Sequence, residues 1–230
     1  MEINPVGSYA NLSNGMDLHY LEFCSDIDQV ATVIFIHGSG PGASGWSNFK
    51  NNVDAFSQMG YSTIVIDIPG YGQTSKPTDA IYSLDFFTQY LDEFLVHKNI
   101  TQAILVGNSL GGAIAIGYAL DHPDKVSHLI LMATGGVEER EIYFATEGIQ
   151  AMVKYPMGSP EFTKEVLGDL LKLLVFDAKH VTQELIDERW QILQIQNAQV
   201  LASMQIPNLT DRLQELSIPI LGFWGYQDKF

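Results

Sequence analysis

Ser109 stands in the run Gly107-Asn108-Ser109-Leu110-Gly111-Gly112, which fits G-x-S-x-G with a buried apolar stretch before it and a helical one after it. A hydroxyl lifted out of such a strand–helix turn can attack an electrophilic carbon. It needs a base to take its proton and amide hydrogens to receive the negative charge that develops. Side chains at Gly107 and Gly111 would crowd the sharp turn, and the N–H of Leu110, at the helix start, points at a developing oxyanion. The run His37-Gly38-Ser39-Gly40-Pro41-Gly42 offers the second donor, through the backbone N–H of Ser39 or Gly40. This loop lacks the lysine of G-x-x-x-x-G-K-[ST] and the spacing of G-x-G-x-x-G, so a phosphate cradle is disfavoured. His37 itself reads as a structural loop histidine.

An acid and then a histidine should follow the serine in the chain. Asp228, in Trp224-Gly225-Tyr226-Gln227-Asp228, is the candidate acid that would hold an imidazole in its working tautomer. An aspartate in a strand-end turn is also ordinary turn chemistry. The six histidines, His19, His37, His97, His122, His128 and His180, all precede Asp228. The expectation is therefore that the C-terminal strand and helix are absent from this chain, which as it stands would be inactive for lack of the catalytic histidine. His180 is a conceivable substitute, but a helical cap is a poor place for a fixed base.

The elements that must position these groups follow from periodicity. Residues 17–23 alternate as a strand, and residues 31–36, 63–66, 103–106 and 126–132 are short apolar runs of the kind covered on both faces of a sheet. Helical stretches at 46–59, 83–97 and 113–120 separate them, with Gly60 as a stop. The alternation predicts an α/β fold, a mostly parallel sheet with helices on both faces. From 137 to 208 only helical periodicity remains, at 161–176 and 182–204, and strand character resumes at 218–224. Residues 1–136 and 209–230 are thus expected to form the two parts of one core, and 137–208 an inserted helical cap. Ile149, Met152, Val153 and Phe176 are candidates for the pocket wall or, equally, for the cap's own core.

Composition removes other classes. The 230 residues carry a formal net charge of -15, which opposes nucleic acid and anionic membrane surfaces. Cys24 is the single cysteine, so no disulfide forms within the chain; it reads as a small apolar residue in an early strand. Met1-Glu2-Ile3-Asn4-Pro5 lacks the pattern of a leader, and no apolar run has membrane-spanning length. A soluble, cytoplasmic protein is expected.

At these residues the sequence resembles the α/β-hydrolase fold, and within it the carbon–carbon bond hydrolases that act on meta-cleavage products of aromatic degradation. The resemblance covers essentially the whole chain. It rests on the loop His37-Gly38-Ser39-Gly40-Pro41-Gly42-Ala43-Ser44-Gly45-Trp46-Ser47-Asn48-Phe49, on Asn108 before Ser109, and on Glu188-Arg189-Trp190. The resemblance implies 2-hydroxy-6-oxo-hexa-2,4-dienoate-type substrates. It implies that Arg189 binds the carboxylate, with Trp190 beside it, and that Asn48 and Asn108 hold the dienol or carboxylate oxygens. It also implies that the dienol is ketonised before Ser109 attacks the remaining ketone, that no cofactor takes part, and that homo-oligomers are possible. The run Asp67-Ile68-Pro69-Gly70-Tyr71-Gly72 departs from this subgroup toward hydrolases in general. A carboxylesterase of the same fold, and a catalytically inactive binding protein, are the alternatives.

Overall fold

The computed structural model describes residues 6–24 and 29–230; the absence of a leader read at Met1 to Pro5 concerns residues outside that description. Seven strands form one sheet in the order β1-β2-β4-β3-β5-β6-β7. They are β1 (Ser8–Asn11), β2 (Asp17–Phe23), β3 (Thr32–Ile36), β4 (Ser62–Ile66), β5 (Ala103–Asn108), β6 (Val126–Met132) and β7 (Ile220–Phe223). The β1–β2 and β2–β4 pairs are antiparallel; β4, β3, β5, β6 and β7 run parallel.

The central strands read as continuous apolar runs because both faces are covered. On β3, Ile34 and Ile36 face one cluster and Val33 and Phe35 the other; on β4, Ile64 and Ile66 oppose Val65 in the same way. The first cluster is sealed by α3 (Leu84–His97), through Phe87, Leu91 and Phe94, and by α4 (Leu110–Asp121), through Ile114 and Ile116. The second is sealed by α1 (Gly45–Phe49) and α2 (Val53–Gln58), through Phe49, Val53 and Phe56. Each fully buried side chain of this size contributes about 1.5–3 kcal/mol.

The single helix expected over 46–59 is two short ones. The first is closed by a capping box, in which Ser47 N–H donates to Ser44 Oγ (3.1 Å) and Ser44 N–H to Ser47 Oγ (2.9 Å). The chain then turns at Asn52, whose N–H bonds the carbonyl of Phe49. Cys24 is not inside a strand; it follows β2 and is exposed. Between β6 and β7 the chain is helical: α5 (Arg140–Ala145), α6 (Glu147–Lys154), α7 (Lys164–Leu173), α8 (Gln183–Leu193) and α9 (Gln199–Ser203). Phe162, Leu167, Leu170 and Leu171 centre a separate apolar cluster there, against which Met152 and Trp190 pack. Val153 and Phe176 face solvent. No described helix is long and apolar enough to cross a membrane.

Asp67, just past β4, ties three elements together. Its Oδ1 accepts from Gly45 N–H (2.7 Å) at the start of α1, and its Oδ2 from Gln73 N–H (2.9 Å) and His19 Nδ1 (2.8 Å) on β2. A side chain at Gly72, whose φ is +48°, would meet this carboxylate at 2.1 Å, so the D-x-P-G-x-G turn closes around the aspartate. Burial alone would raise the Asp67 carboxyl; the His19 hydrogen bond, the neighbouring imidazoles and the Gln73 amide together hold it below the usual carboxylate value. A carboxyl depressed in the folded state contributes its full stability above its unfolded value and loses it as pH falls from there through the lower folded value. Asp67→Asn turns one acceptor into a donor facing N–H groups, so we expect a loss of about 3 kcal/mol at neutral pH. Urea unfolding at pH 7 and pH 3 should show the deficit of the variant shrinking at the lower pH. A deficit equal at both would assign Asp67 no charged role.

Candidate active site

Ser109 follows β5 directly and precedes α4, with φ +49° and ψ -116°. A non-glycine residue in this region costs on the order of 1–3 kcal/mol and persists only where its surroundings over-determine it. They do so here. Ser109 N–H donates to the Met132 carbonyl (3.0 Å), and the Ser109 carbonyl accepts from Gly112 (2.9 Å), Ala113 (3.2 Å) and Gly135 (2.9 Å). The glycines are required by contact: a Cβ at Gly107 would lie 2.4 Å from the Gly111 carbonyl oxygen, and one at Gly111 only 2.0 Å from that of Ile36. The turn leaves Ser109 partly exposed while Gly107, Leu110 and Gly111 are buried.

The loop after β3 passes close to the serine. A Cβ at Gly38 would lie 2.9 Å from Asn108 Oδ1 and 3.1 Å from Ser109 Cβ. His37 is fully buried and held at both nitrogens: its Nδ1 bonds the Gly38 carbonyl (2.7 Å) and its Nε2 accepts from Ile68 N–H (3.1 Å). These partners require the neutral Nδ1–H tautomer, and burial depresses the imidazole to about 4, Asp67 opposing and Arg189 reinforcing the shift. His37 is thus a structural histidine, as read from the sequence. Among the described residues, Ser39, Gly40 and Leu110 N–H groups have no acceptor, and a Cβ at Gly40 would meet nothing within 4 Å.

Arg189 is on α8, and its backbone lies against the same loop, where a Cβ at Gly42 (φ +65°) would strike the Arg189 carbonyl oxygen at 2.0 Å. The residue as a whole is partly exposed, yet Nε and Nη1 are sealed from solvent and have no hydrogen-bond partner. Burial draws the guanidinium down to about 10, with Glu188 opposing, so it stays charged at neutral pH. Two contacts that sequence reasoning did not anticipate fasten α8 and its end to this loop. Glu188 Oε2 is paired with Lys50 Nζ at the end of α1, and Gly42 N–H donates to Gln196 Oε1 (2.8 Å). No local signal marks Gln196 or Lys50, since their partners lie more than a hundred residues away.

The other candidates are placed as follows. Asn48 Nδ2 donates to the Ser44 carbonyl (3.0 Å), and Asn108 Nδ2 approaches that of Met132 at 3.4 Å. Trp190 lines a cleft of about 290 Å³ among the helices between β6 and β7, with Met157, Phe162 and Leu193. Asp228 follows the carboxyl end of β7, two strands from β5; it is exposed, and its Oδ1 accepts from Phe230 N–H (3.2 Å). Of the histidines, His19 is bound to Asp67, His122 packs on Tyr118, and His97, His128 and His180 are exposed.

A strained serine on the turn after a parallel strand, with the glycine loop after β3 packed beside it, is the arrangement of a serine-nucleophile hydrolase of the α/β class. The family described as alpha/beta hydrolase fold matches residues 31–193. A 2-hydroxy-6-oxononadienedioate/2-hydroxy-6-oxononatrienedioate hydrolase of Paraburkholderia phymatum is 36% identical over 86% of this chain and 71% of its own length. A 2-hydroxy-6-oxo-6-phenylhexa-2,4-dienoate hydrolase of Burkholderia cepacia is 32% identical over 90% of this chain and 74% of its own. In fold, the chain is similar to a meta-cleavage product hydrolase of Pseudomonas fluorescens, with a TM-score of 0.72 at 24% identity over 96% of this chain and 91% of that one. An esterase of Exiguobacterium antarcticum has a TM-score of 0.78 at 20% identity, covering 97% and 82%. The chain belongs to the α/β-hydrolase fold family and, within it, to the meta-cleavage product hydrolases.

The held tautomer of His37 has a consequence for stability. A base depressed on folding contributes stability above its unfolded value of 6.5, and that contribution is lost as pH falls toward the folded value of about 4. We expect stability to drop by about 3 kcal/mol over this window from His37 alone. Denaturant midpoints in steps from pH 7 to 4 should show the fall, and His37→Asn should flatten it. A variant with the same slope as the wild type would point to another group.

Proposed function

We propose that this enzyme cleaves the C–C bond of 2-hydroxy-6-oxo-hexa-2,4-dienoate-type acids through Ser109. The two relatives described above are named for substrates that share this unit. One observation carries the choice within the hydrolases: the buried, unpartnered nitrogens of Arg189 behind the loop that passes Ser109. A desolvated guanidinium without an acceptor is costly, and a substrate carboxylate supplies the acceptor that the protein withholds. A neutral ester does not.

On this reading Arg189 binds the carboxylate, Asn48 and Asn108 hold the neighbouring oxygens, and Trp190 bounds the site from the cap, residues 137–208. After the dienol has become a ketone, Ser109 Oγ attacks the remaining ketone carbon. The new oxyanion is received by Leu110 N–H and by that of Ser39 or Gly40. The C–C bond breaks, its electron pair takes up the proton that Ser109 gave up to a general base, 2-hydroxypentadienoate leaves, and water then releases the acyl group from the serine as a carboxylic acid. Asp228 is the acid in this scheme, standing after Ser109 in the chain as the order serine, acid, histidine requires.

Dienolate substrates are coloured, which makes the test direct. In a chain that has the histidine the triad requires, and with 2-hydroxy-6-oxo-6-phenylhexa-2,4-dienoate as substrate, Ser109→Ala should abolish bleaching while leaving binding within about twofold; a variant that still turns over would remove Ser109 from the mechanism. Arg189→Ala should weaken affinity for the dienoate by about tenfold or more, one lost charged hydrogen bond being worth about 1.5–3 kcal/mol, and leave p-nitrophenyl acetate hydrolysis within about twofold. Equal losses on both would take Arg189 out of the carboxylate site. Ester hydrolysis without any loss of dienolate colour would favour the carboxylesterase.

A further inference from the structure

Tyr71 is fully buried in the turn after β4, far from Ser109 in the chain, and its hydroxyl donates to the carbonyl oxygen of Ser39 (3.1 Å). That carbonyl belongs to the same peptide as the Gly40 N–H, and in a trans peptide the two point in opposite directions. We infer that Tyr71 is a positioning residue of the oxyanion hole: by holding the Ser39 carbonyl on the protein side, its phenol turns the Gly40 N–H toward the oxygen that forms at Ser109. The inference rests on the reading of Gly40 as an oxyanion donor.

Several observations make this hydrogen bond decisive for the peptide's orientation. The space beside Gly40 is open, a Cβ there meeting nothing within 4 Å, so packing does not fix the plane. The far side of Gly40 is fixed by a turn, Ala43 N–H bonding its carbonyl (3.0 Å), which leaves the Ser39–Gly40 peptide as the free joint. The phenol is itself immobilised: its ring meets the edge of His37 at 5.4 Å and 75°, and His37 is clamped by Gly38 and Ile68. Burial pushes the Tyr71 hydroxyl far above its ordinary value, so it remains a donor throughout the working pH range. The bond also polarises the peptide, which strengthens the N–H on its other side.

The test uses phenylboronic acid, whose tetrahedral adduct with a serine places a negative oxygen in the hole, and benzoate, which binds without one. Tetrahedral boron is read by boron NMR and affinity by titration. Tyr71→Phe should weaken the boronate roughly tenfold, a fraction of the 10²–10³ that accompanies loss of a whole donor, while benzoate affinity stays within about twofold. Placing p-aminophenylalanine at 71, which restores a donor on the same ring, should recover most of the loss. A second measurement needs no substitution: in the unaltered protein the Gly40 amide proton should move downfield when the boronate binds. Unchanged boronate affinity in Tyr71→Phe, equal weakening of boronate and benzoate, or an unmoved Gly40 amide each overturns the inference while leaving Ser109 in place. Absence of tetrahedral boron in the unaltered protein overturns the nucleophile reading and this inference with it. None of these outcomes depends on which ketone is the substrate.

Discussion

The backbone of Ser109 sits where a side-chain-bearing residue is unfavourable, and the surrounding structure exists in large part to keep it there. Four hydrogen bonds fix its N–H and carbonyl: the N–H donates to Met132 at the end of β6, and the carbonyl accepts from Gly112 and Ala113 in α4 and from Gly135 just after β6. The turn is therefore held in the native fold jointly by the β5–β6 pairing and the start of α4. In return Ser109 is left partly exposed while Gly107, Leu110 and Gly111 around it remain buried. Pre-organisation of this kind places the strain before the reaction, so that little rearrangement is needed when charge develops.

On the proposed reading, the helices between β6 and β7 complete the site from the other side. Three contacts join α8 and the residues after it to the α1 region: the Lys50–Glu188 pair, the Gly42–Gln196 hydrogen bond, and the close approach of the Arg189 backbone to Gly42. Gly42 is placed where the two meet, which is why a positive φ and the absence of a Cβ are both demanded at that position. The same packing that strips water from Arg189 Nε and Nη1 leaves Glu188 Oε1 buried and unpaired. Unmet polar atoms of both signs lie on neighbouring residues, as expected where a polar ligand is to be received and not where stability alone is served.

Around this, Asp67 and His37 act as fasteners. Asp67 draws the start of α1, strand β2 and the turn after β4 to one carboxylate, and His37 spans from its own loop to Ile68 in that turn. Both work through a protonation state that burial and neighbours enforce, negative for the aspartate and neutral for the histidine. The D-x-P-G-x-G run that set this chain apart from its subgroup at the level of sequence is thus where the loop after β3 is anchored.

The alternation of apolar runs and the glycines flanking Ser109 were enough to establish a parallel sheet with a nucleophile turn, because strand period and steric exclusion are local properties. The capping box of Ser44 and Ser47 is likewise short-range, whereas the burial of His37 depends on Ile68 and Tyr71, distant in the chain. The pairing of Arg189 with Gly42, the Lys50–Glu188 contact and the bond from Tyr71 to Ser39 were not legible, since each joins residues brought near only by the sheet order and the return of the helices onto it. The same holds for the one helix that became two at Asn52, and for Cys24, where the expected strand ends one residue earlier. Residue types and spacing determined which groups could react; the tertiary fold decided which of them are desolvated and which way their donors point, because burial and peptide orientation are set by neighbours distant in the chain.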